Sequence, residues 1–503
     1  MHYFINYSLV DINSSIEHAA LMRLKLFKSN NLAAKYITLN WDYLNPLRVK
    51  NQDLTDADVV NMYDFFANTA QFKQTPRHHL ADLPLPNAWT WDNSDANQAT
   101  IKEGDRVRAK VHYIPGLVET TGKIDYYDTF GKHYRTEYWD PRGFLISAEL
   151  YSAQGNVLEQ VLYDVNTEQP VLTRFFHVVD NQVVLYRLQL NHAGQTYTFN
   201  HENALISFFL NVYTQADDAA VLYVDRPNLA QPVLEMRQTV QKVLMVPTLH
   251  TSDPDDQVTA NLNNEYYYSI YEHLRDFDAV LVATEHQAQD LRRWLGGSAD
   301  DLTSTKTPIY AVSRAITHPT APTEPKTAGK IIYAGLLNDY EALKDIVVAY
   351  SKAKKEFPHL SLVMAGYGEA YEQLKNDVAK QNIADISFPG YLQTPALAQE
   401  LKTAALFLTT QKGDVQPLTL LQALSFSTPV ISYAFNYGPR DIDPDQQAIV
   451  TVSPRKRSLL VKQVVHFFAT SDHQAQQQAA ATIAANYSPT KVLAQYQATG
   501  LLG

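Results

Sequence analysis

The sequence predicts an α/β protein made of two parallel-sheet halves, with an antiparallel β-rich insertion inside the first. Three observations carry this. Short apolar strands alternate with helical periodicity at the start, between about 205 and 315, and again after 330. From about Pro76 to Asn200 the chain changes to aromatic and β-branched runs, with turn residues roughly every 8–12 positions. At 503 residues it is long enough for two or three domains.

HYFINYSLV opens as a strand. After the polar turn Asn13-Ser14-Ser15, the apolar positions Ile16, Ala19, Ala20, Leu24 and Leu26 fit a helix, and AAKYITLN supplies the next strand. This βαβ start is Rossmann-like. The insertion reads as a meander, KEGDRVRAKVHYI through TYTFN, punctuated by Ala153-Gln154-Gly155-Asn156, Asp180-Asn181-Gln182 and His192-Ala193-Gly194. Its rings Tyr126, Tyr127, Tyr134, Tyr138, Trp139 and Tyr151 fit a packed sheet face, with a wet aromatic platform for sugar or peptide as the alternative. ALISFFLNVY fits a helix, VLYVD and VLMVP short buried strands, and NEYYYSIYEHLRDFDAVLVATEHQAQDLRRWLG a helix, a strand and a helix. SRAITHPTAPTEPKTAGK, with three prolines, fits a linker. KIIYAGLL, LSLVMAGYG, ISFPG, ALFLTT and PVISYAF are the strands of the second half, and a Gln/Ala-rich helix precedes the C-terminal one. The expected division is 1–75 with 205–315, then 76–204, then 316–503.

Composition excludes several classes. A net charge of −11 argues against nucleic acid, and broad binding to a polyanion would need a local basic groove. The absence of cysteine excludes disulfides, thiolate metal sites and cysteine nucleophiles. The N-terminal stretch lacks a basic region followed by a long apolar run, and no window approaches 18 uninterrupted apolar residues. A soluble cytoplasmic protein with at most peripheral membrane association is expected, with no metal and no tightly held cofactor.

The stretch Thr410–Asp441 organises the second half. A polar loop with Gly413 and Asp414 leads to a short helix opened by Pro417, then the strand PVISYAF and the loop NYGPRD. A loop feeding a helix N-terminus presents unpaired N–H groups to an anion, although an ordinary αβ unit has the same pattern. Gly366 and Gly368 in AGYGE form a second loop after a strand, and His250 in VPTLHTSD follows another.

QPLTLLQALSFSTPVISYAFNYGPRDI resembles the nucleotide-sugar site of family 4 retaining glycosyltransferases of the GT-B fold. Within that family it is most similar to bacterial wall teichoic acid glycosyltransferases and to the two-subunit enzymes that glycosylate serine-rich adhesins. The resemblance runs from the first βα turn to the terminal helix, which in this fold crosses back to the first domain. It implies two Rossmann-like domains, an acceptor domain and a nucleotide-sugar domain, and an insertion used for assembly and for holding acceptor. Asn13-Ser14-Ser15 departs from the Gly-Gly pair that many relatives carry.

The resemblance also implies a contact set. Two glutamates eight positions apart approach the transferred sugar and the ribose in active members; here those positions hold Asp414 and Gln422. An Arg and a Lys on the diphosphate correspond to Leu336 and Glu341, in the segment that starts at Gly335. Lys344 or Arg440 would be substitute cations. Gln416, Leu418 and Thr419 complete the nucleotide-sugar side together with Gly366 and Gly368. His250 and Asp414 match the catalytic positions of an active enzyme.

Four departures on one ligand's contact set point to a degenerate donor site. The expected function is therefore a GT-B pseudo-glycosyltransferase, the non-catalytic subunit of a complex. It would pair through the β-rich insertion with a catalytically intact homologue and present a Ser/Thr-rich protein or teichoic acid acceptor. The alternatives are an active retaining enzyme moving glucose or N-acetylglucosamine from a UDP-sugar, and a monomeric carbohydrate-binding scaffold.

Overall fold

The computed structural model describes residues 1–301, 304–316, 325–470 and 472–502. Part of the expected linker, 317–324, lies outside the described residues. The chain divides into two compact units, Met1–Asn13 with Ala33–Gln241, and Ser14–Leu32 with Lys242–Gly503.

The first unit holds β1 (His2–Asn6), β2 (Ala34–Thr38) and β3 (Val59–Asn61), parallel and adjacent in that order. Every residue of β1 is buried, as expected for a strand covered on both faces. The insertion is a ten-stranded antiparallel meander. Its strands are β4 (Thr90–Asp92), β5 (Gln98–Glu103), β6 (Arg106–Tyr113), β7 (Thr121–Tyr127), β8 (His133–Asp140), β9 (Phe144–Tyr151), β10 (Val157–Tyr163), β11 (Pro170–Val179), β12 (Gln182–His192) and β13 (Gln195–Phe199). Each strand pairs with the next, and Asn181 and Gly194 take the positive φ (62° and 75°) that the tight connections around β12 require. β14 (Val221–Val224) then returns to pair in parallel with β1.

The rings of the insertion pack as a sheet face does. Trp139 is buried with Ile101, Val111 and Ile124, while Tyr126, Tyr127, Tyr138 and Tyr151 are half-buried. Tyr138 stands edge-on to Trp41 at 4.8 Å. Tyr138 and Tyr151 both donate to Glu149 (2.8 and 2.5 Å), and Tyr126 donates to Glu137 (2.9 Å). Burial next to these carboxylates pushes all three phenols up. Tyr134 alone of the six is exposed.

The second unit contains β15 (Gln241–Val246), β16 (Ala279–Val282) and β17 (Ile309–Ala311), parallel and adjacent, and a six-stranded parallel sheet. That sheet is built from β18 (Lys330–Leu336), β19 (Ser361–Tyr367), β20 (Ile386–Gly390), β21 (Leu406–Thr409), β22 (Val430–Tyr433) and β23 (Ile449–Val452), in the order β20-β19-β18-β21-β22-β23. The order reverses between β18 and β21, the switch point where open α/β sheets hold ligands.

The helix Ser15–Ser29 belongs to this second unit. Ser14 accepts from the Ile16 amide at 3.2 Å and Glu17 reaches back to the Ser14 amide at 3.0 Å, a capping box. Phe27 on this helix meets Tyr496 of the terminal helix Pro489–Ala498 edge-on at 5.0 Å.

Three local readings are corrected. The helix expected over NEYYYSIYEHLRDFD is a π turn, Tyr267–Glu272, between 3₁₀ turns Asn264–Tyr266 and Leu274–Asp276, because its crowded aromatic run lacks a 3.6-residue apolar stripe. The NYGPRD loop contains a short helix, Gly438–Ile442, with Pro439 in its first turn. IVTV, not read as a strand, forms the sheet edge β23.

Candidate functional site

Gly335, Leu336, Gly366 and Gly368 lie at the carboxyl ends of β18 and β19, Glu341 in the next helix, and Leu418, Thr419 and Gln422 on the helix Leu418–Ser425. β18 and β19 pair with Gly335 opposite Gly366. A Cβ at Gly366 would overlap the Gly335 carbonyl, and one at Gly368 would overlap the Leu337 backbone. Gly366 was expected in a loop but lies in β19, and Gly368 directly follows that strand; both sit at positive φ, 139° and 148°, so the strand end demands glycine on two counts. Gln411 lies over Gly335 closely enough that a side chain there would strike its amide oxygen. Leu336, 40% exposed, ends β18 and accepts from the Tyr333 hydroxyl through its backbone carbonyl at 2.6 Å.

Asp339 caps the helix Tyr340–Glu356, accepting from the Ala342 amide at 3.1 Å. Glu341 occupies the first turn, where an acid suits the helix dipole. Its carboxylate is largely exposed and faces Lys344 at 3.8 Å and Arg457 at 3.7 Å. Arg457 is bound chiefly to Asp345, which also accepts from the Tyr433 hydroxyl at 2.6 Å. Lys412 faces Asp339 at 3.8 Å. Lys344, Lys412 and Arg457 thus each face a carboxylate. Arg440, at the end of the helix Gly438–Ile442, is exposed, and among the described residues no ion pair holds it.

The Asp414 carboxylate is engaged by Arg314, which local sequence did not single out. The guanidinium donates to Asp414 at 3.0 Å, to the Gln416 carbonyl at 2.6 Å and to the Pro247 carbonyl at 3.4 Å. The Arg314 amide donates to the Gln416 side-chain oxygen at 2.6 Å. Both charged side chains are nearly buried, 7% and 11% exposed. Gln416 also donates to the Ala283 carbonyl (3.4 Å), so its side chain is structural. Leu418 packs into the core, and Thr419 donates to the Ala334 carbonyl at 2.9 Å. Gln422 is half-buried, with its side-chain oxygen buried and lacking a hydrogen-bond partner. An orphaned acceptor of this kind is uncommon in a folded chain.

His250 is fully buried, with Nε2 donating to the Gln257 carbonyl at 2.8 Å and Nδ1 without a partner. Burial pushes its pKa down to about 4, so it is neutral at physiological pH. An isolated bridge between Thr248 and Asp414 joins the segment carrying His250 to the Asp414 loop. Further along, Tyr437 donates to Asp290 at 3.0 Å and His286 lies 3.2 Å from Asp441. Gly335, Leu336, Glu341, Gly366 and Gly368 therefore share one edge, Asp414 and Gln416 are tied to Arg314, and the His250 imidazole is turned inward.

Residues 316–482 match the family model described as Glycosyl transferases group 1. The chain is 25% identical over 332 residues to a poly(glycerol-phosphate) alpha-glucosyltransferase of Bacillus subtilis; the match covers 61% of this chain and 47% of that protein, about half its length. It is 23% identical over 525 residues to the GtfA subunit of a UDP-N-acetylglucosamine–peptide N-acetylglucosaminyltransferase of Streptococcus gordonii, covering 98% and 97% of the two chains. A chain of the GtfA/B complex crystal structure superposes with a TM-score of 0.74 at 19% identity, covering 100% of this chain and 98% of that one. This chain accordingly has the GT-B glycosyltransferase fold, with a glycosyl transferases group 1 domain at residues 316–482.

Proposed function

We propose that this chain is a GT-B pseudo-glycosyltransferase, a non-catalytic subunit that stabilises a catalytic homologue and presents a Ser/Thr-rich protein or teichoic acid acceptor. One observation carries the reading. The β18 edge, where a nucleotide diphosphate would lie, offers an exposed leucine at 336 and an exposed carboxylate at Glu341. A diphosphate leaving group needs positive charge there. No helix among the described residues is long and apolar enough to cross a membrane, which agrees with a proposed cytoplasmic setting. The sequence division at 75/76, 204/205 and 315/316 is retained as a proposed functional division, since β4–β13 fall within 76–204 and β18–β23 within 316–503.

Calorimetry of the purified chain with UDP, UDP-glucose and UDP-N-acetylglucosamine is expected to show weak or no binding and no sugar transfer. Micromolar affinity with turnover by the chain alone would overturn the proposal in favour of an active retaining transferase. Similarity along nearly the full length to a relative named as a transferase subunit favours that second reading.

The pairing surface has a physical candidate in the β11–β12 hairpin. Val178 and Val183 stand opposite each other and share one face of the hairpin, while Val179 and Val184 lie on the other; with Tyr186 all are 40–44% exposed. Exposed apolar side chains at a hairpin end are candidate association contacts. The double substitution Val178→Lys, Val183→Lys is expected to abolish co-purification with a catalytically intact homologue. Retention at full strength would place the pairing surface elsewhere.

A further inference from the structure

A cavity of about 290 Å³ lies against β22 and β23, roofed by the helix Arg457–Ala469 and the start of the helix Gln474–Ala484. It shares no lining residue with the β18 edge or the Asp414 loop. Its size sits at the lower end of the roughly 300–1,000 Å³ range of small-molecule sites. Ile431, Val450 and Phe467 supply apolar wall.

The rest of the lining is unusual for a helix face packed on a sheet. Gln463, His466, Phe467 and Thr470 follow the i, i+3, i+4, i+7 spacing that normally marks an apolar stripe. Three of these four side chains are instead hydrogen-bonding groups. Asp472, His473 and Gln476 complete the lining. His473 lies flat on Phe467, with ring centroids 3.9 Å apart and planes 8° from parallel, and its Nδ1 is 3.3 Å from the Gln476 side-chain oxygen. Asp472 accepts from the Gln474 amide at 2.8 Å.

The chemistry of this lining selects a ligand class. Among the described residues no lysine or arginine lines the cavity, which disfavours phosphates and nucleotides. Among the described residues no cluster of three or more His, Asp or Glu is placed to hold a metal ion. What is present is a mixture of donors and acceptors from two amides, a hydroxyl, two imidazoles and one carboxylate, beside an apolar wall of Ile431, Val450 and the Phe467 edge. Such a set matches a compact, neutral, polyhydroxylated ring with one apolar face. We propose that this cavity is a saccharide-binding site for a neutral monosaccharide unit, separate from the donor edge.

The test is saturation-transfer NMR on the full chain with methyl α-glucopyranoside, N-acetylglucosamine and inorganic phosphate as probes. One of the two sugars is expected to bind, and phosphate is not. Gln463→Trp, which fills the cavity, should weaken that binding at least about tenfold, and His466→Ala, at an exposed position, should weaken it without unfolding the chain. Glu341→Lys, at the donor edge, should leave it unchanged, which separates this site from the reading proposed above. Absence of sugar binding, binding indifferent to both cavity variants, or phosphate binding in place of sugar would each overturn the proposal.

Discussion

Replacing Leu336 with Arg and Glu341 with Lys, together with Gln422→Glu, is expected to tighten UDP binding by on the order of 10²–10⁴-fold. Charge-assisted hydrogen bonds contribute about 1.5–3 kcal/mol each, so two restored cations are worth roughly 3–6 kcal/mol, and about 1.4 kcal/mol is tenfold in affinity. Leu336 is well exposed, so Arg fits there. At 341 a lysine gives up the contacts to Lys344 and Arg457 and the favourable helix-dipole position, a local cost, while Arg457 keeps Asp345. Gln422→Glu alone is expected to do little, because a new carboxylate in a half-buried place without a ligand is not stabilising. Calorimetric titration of the wild type, the single Gln422 variant and the triple variant checks the series. Flat affinity across all three would mean that nucleotide does not lie along this edge.

Arg314→Ala is expected to destabilise the second unit by about 3–5 kcal/mol, since removing one partner of a nearly buried pair leaves the other charge uncompensated. Arg314→Met combined with Asp414→Leu should recover most of that loss, because apolar residues of similar size often replace a buried pair without penalty. Chemical denaturation gives the total effect, and hydrogen exchange at 410–417 gives its location. A loss below about 1 kcal/mol would class the pair with exposed ion pairs and remove its structural role.

What could be read from the chain, and what could not, follows the range of the forces involved. The helix Ser15–Ser29 was legible because Ile16, Ala19, Ala20, Leu24 and Leu26 recur at helical spacing after a polar turn. The meander was legible because its connections carry residues suited to positive φ, Asn181 and Gly194 among them. Gly366 and Gly368 were legible as a glycine pair, but Gly366 lies in β19 and not in a loop, and the reason they must be glycine lies in the Gly335 and Leu337 backbone. The run NEYYYSIYEHLRDFD misled because aromatic content says little about which helical hydrogen bonds form. Arg314 was illegible because its partner lies 100 residues away. The inward turn of His250 depends on the Gln257 carbonyl in a loop without a periodic pattern. Leu336, Glu341, Asp414 and Gln422 were identified by type, but that Glu341 faces Arg457 and Asp414 faces Arg314 is tertiary information.

The polar contacts joining the β15–β16 ends to the Asp414 loop have a mechanical consequence. Gln416 to Ala283, Arg314 to Pro247 and Asp414, Thr248 to Asp414 and Tyr437 to Asp290 form a row of rivets. A clamshell motion that parted these sheets would have to shear every one of them at once. That makes separation an all-or-none event and leaves little room for graded breathing. Within this unit the chain is built as a bracket, rigid enough to hold a load in one place.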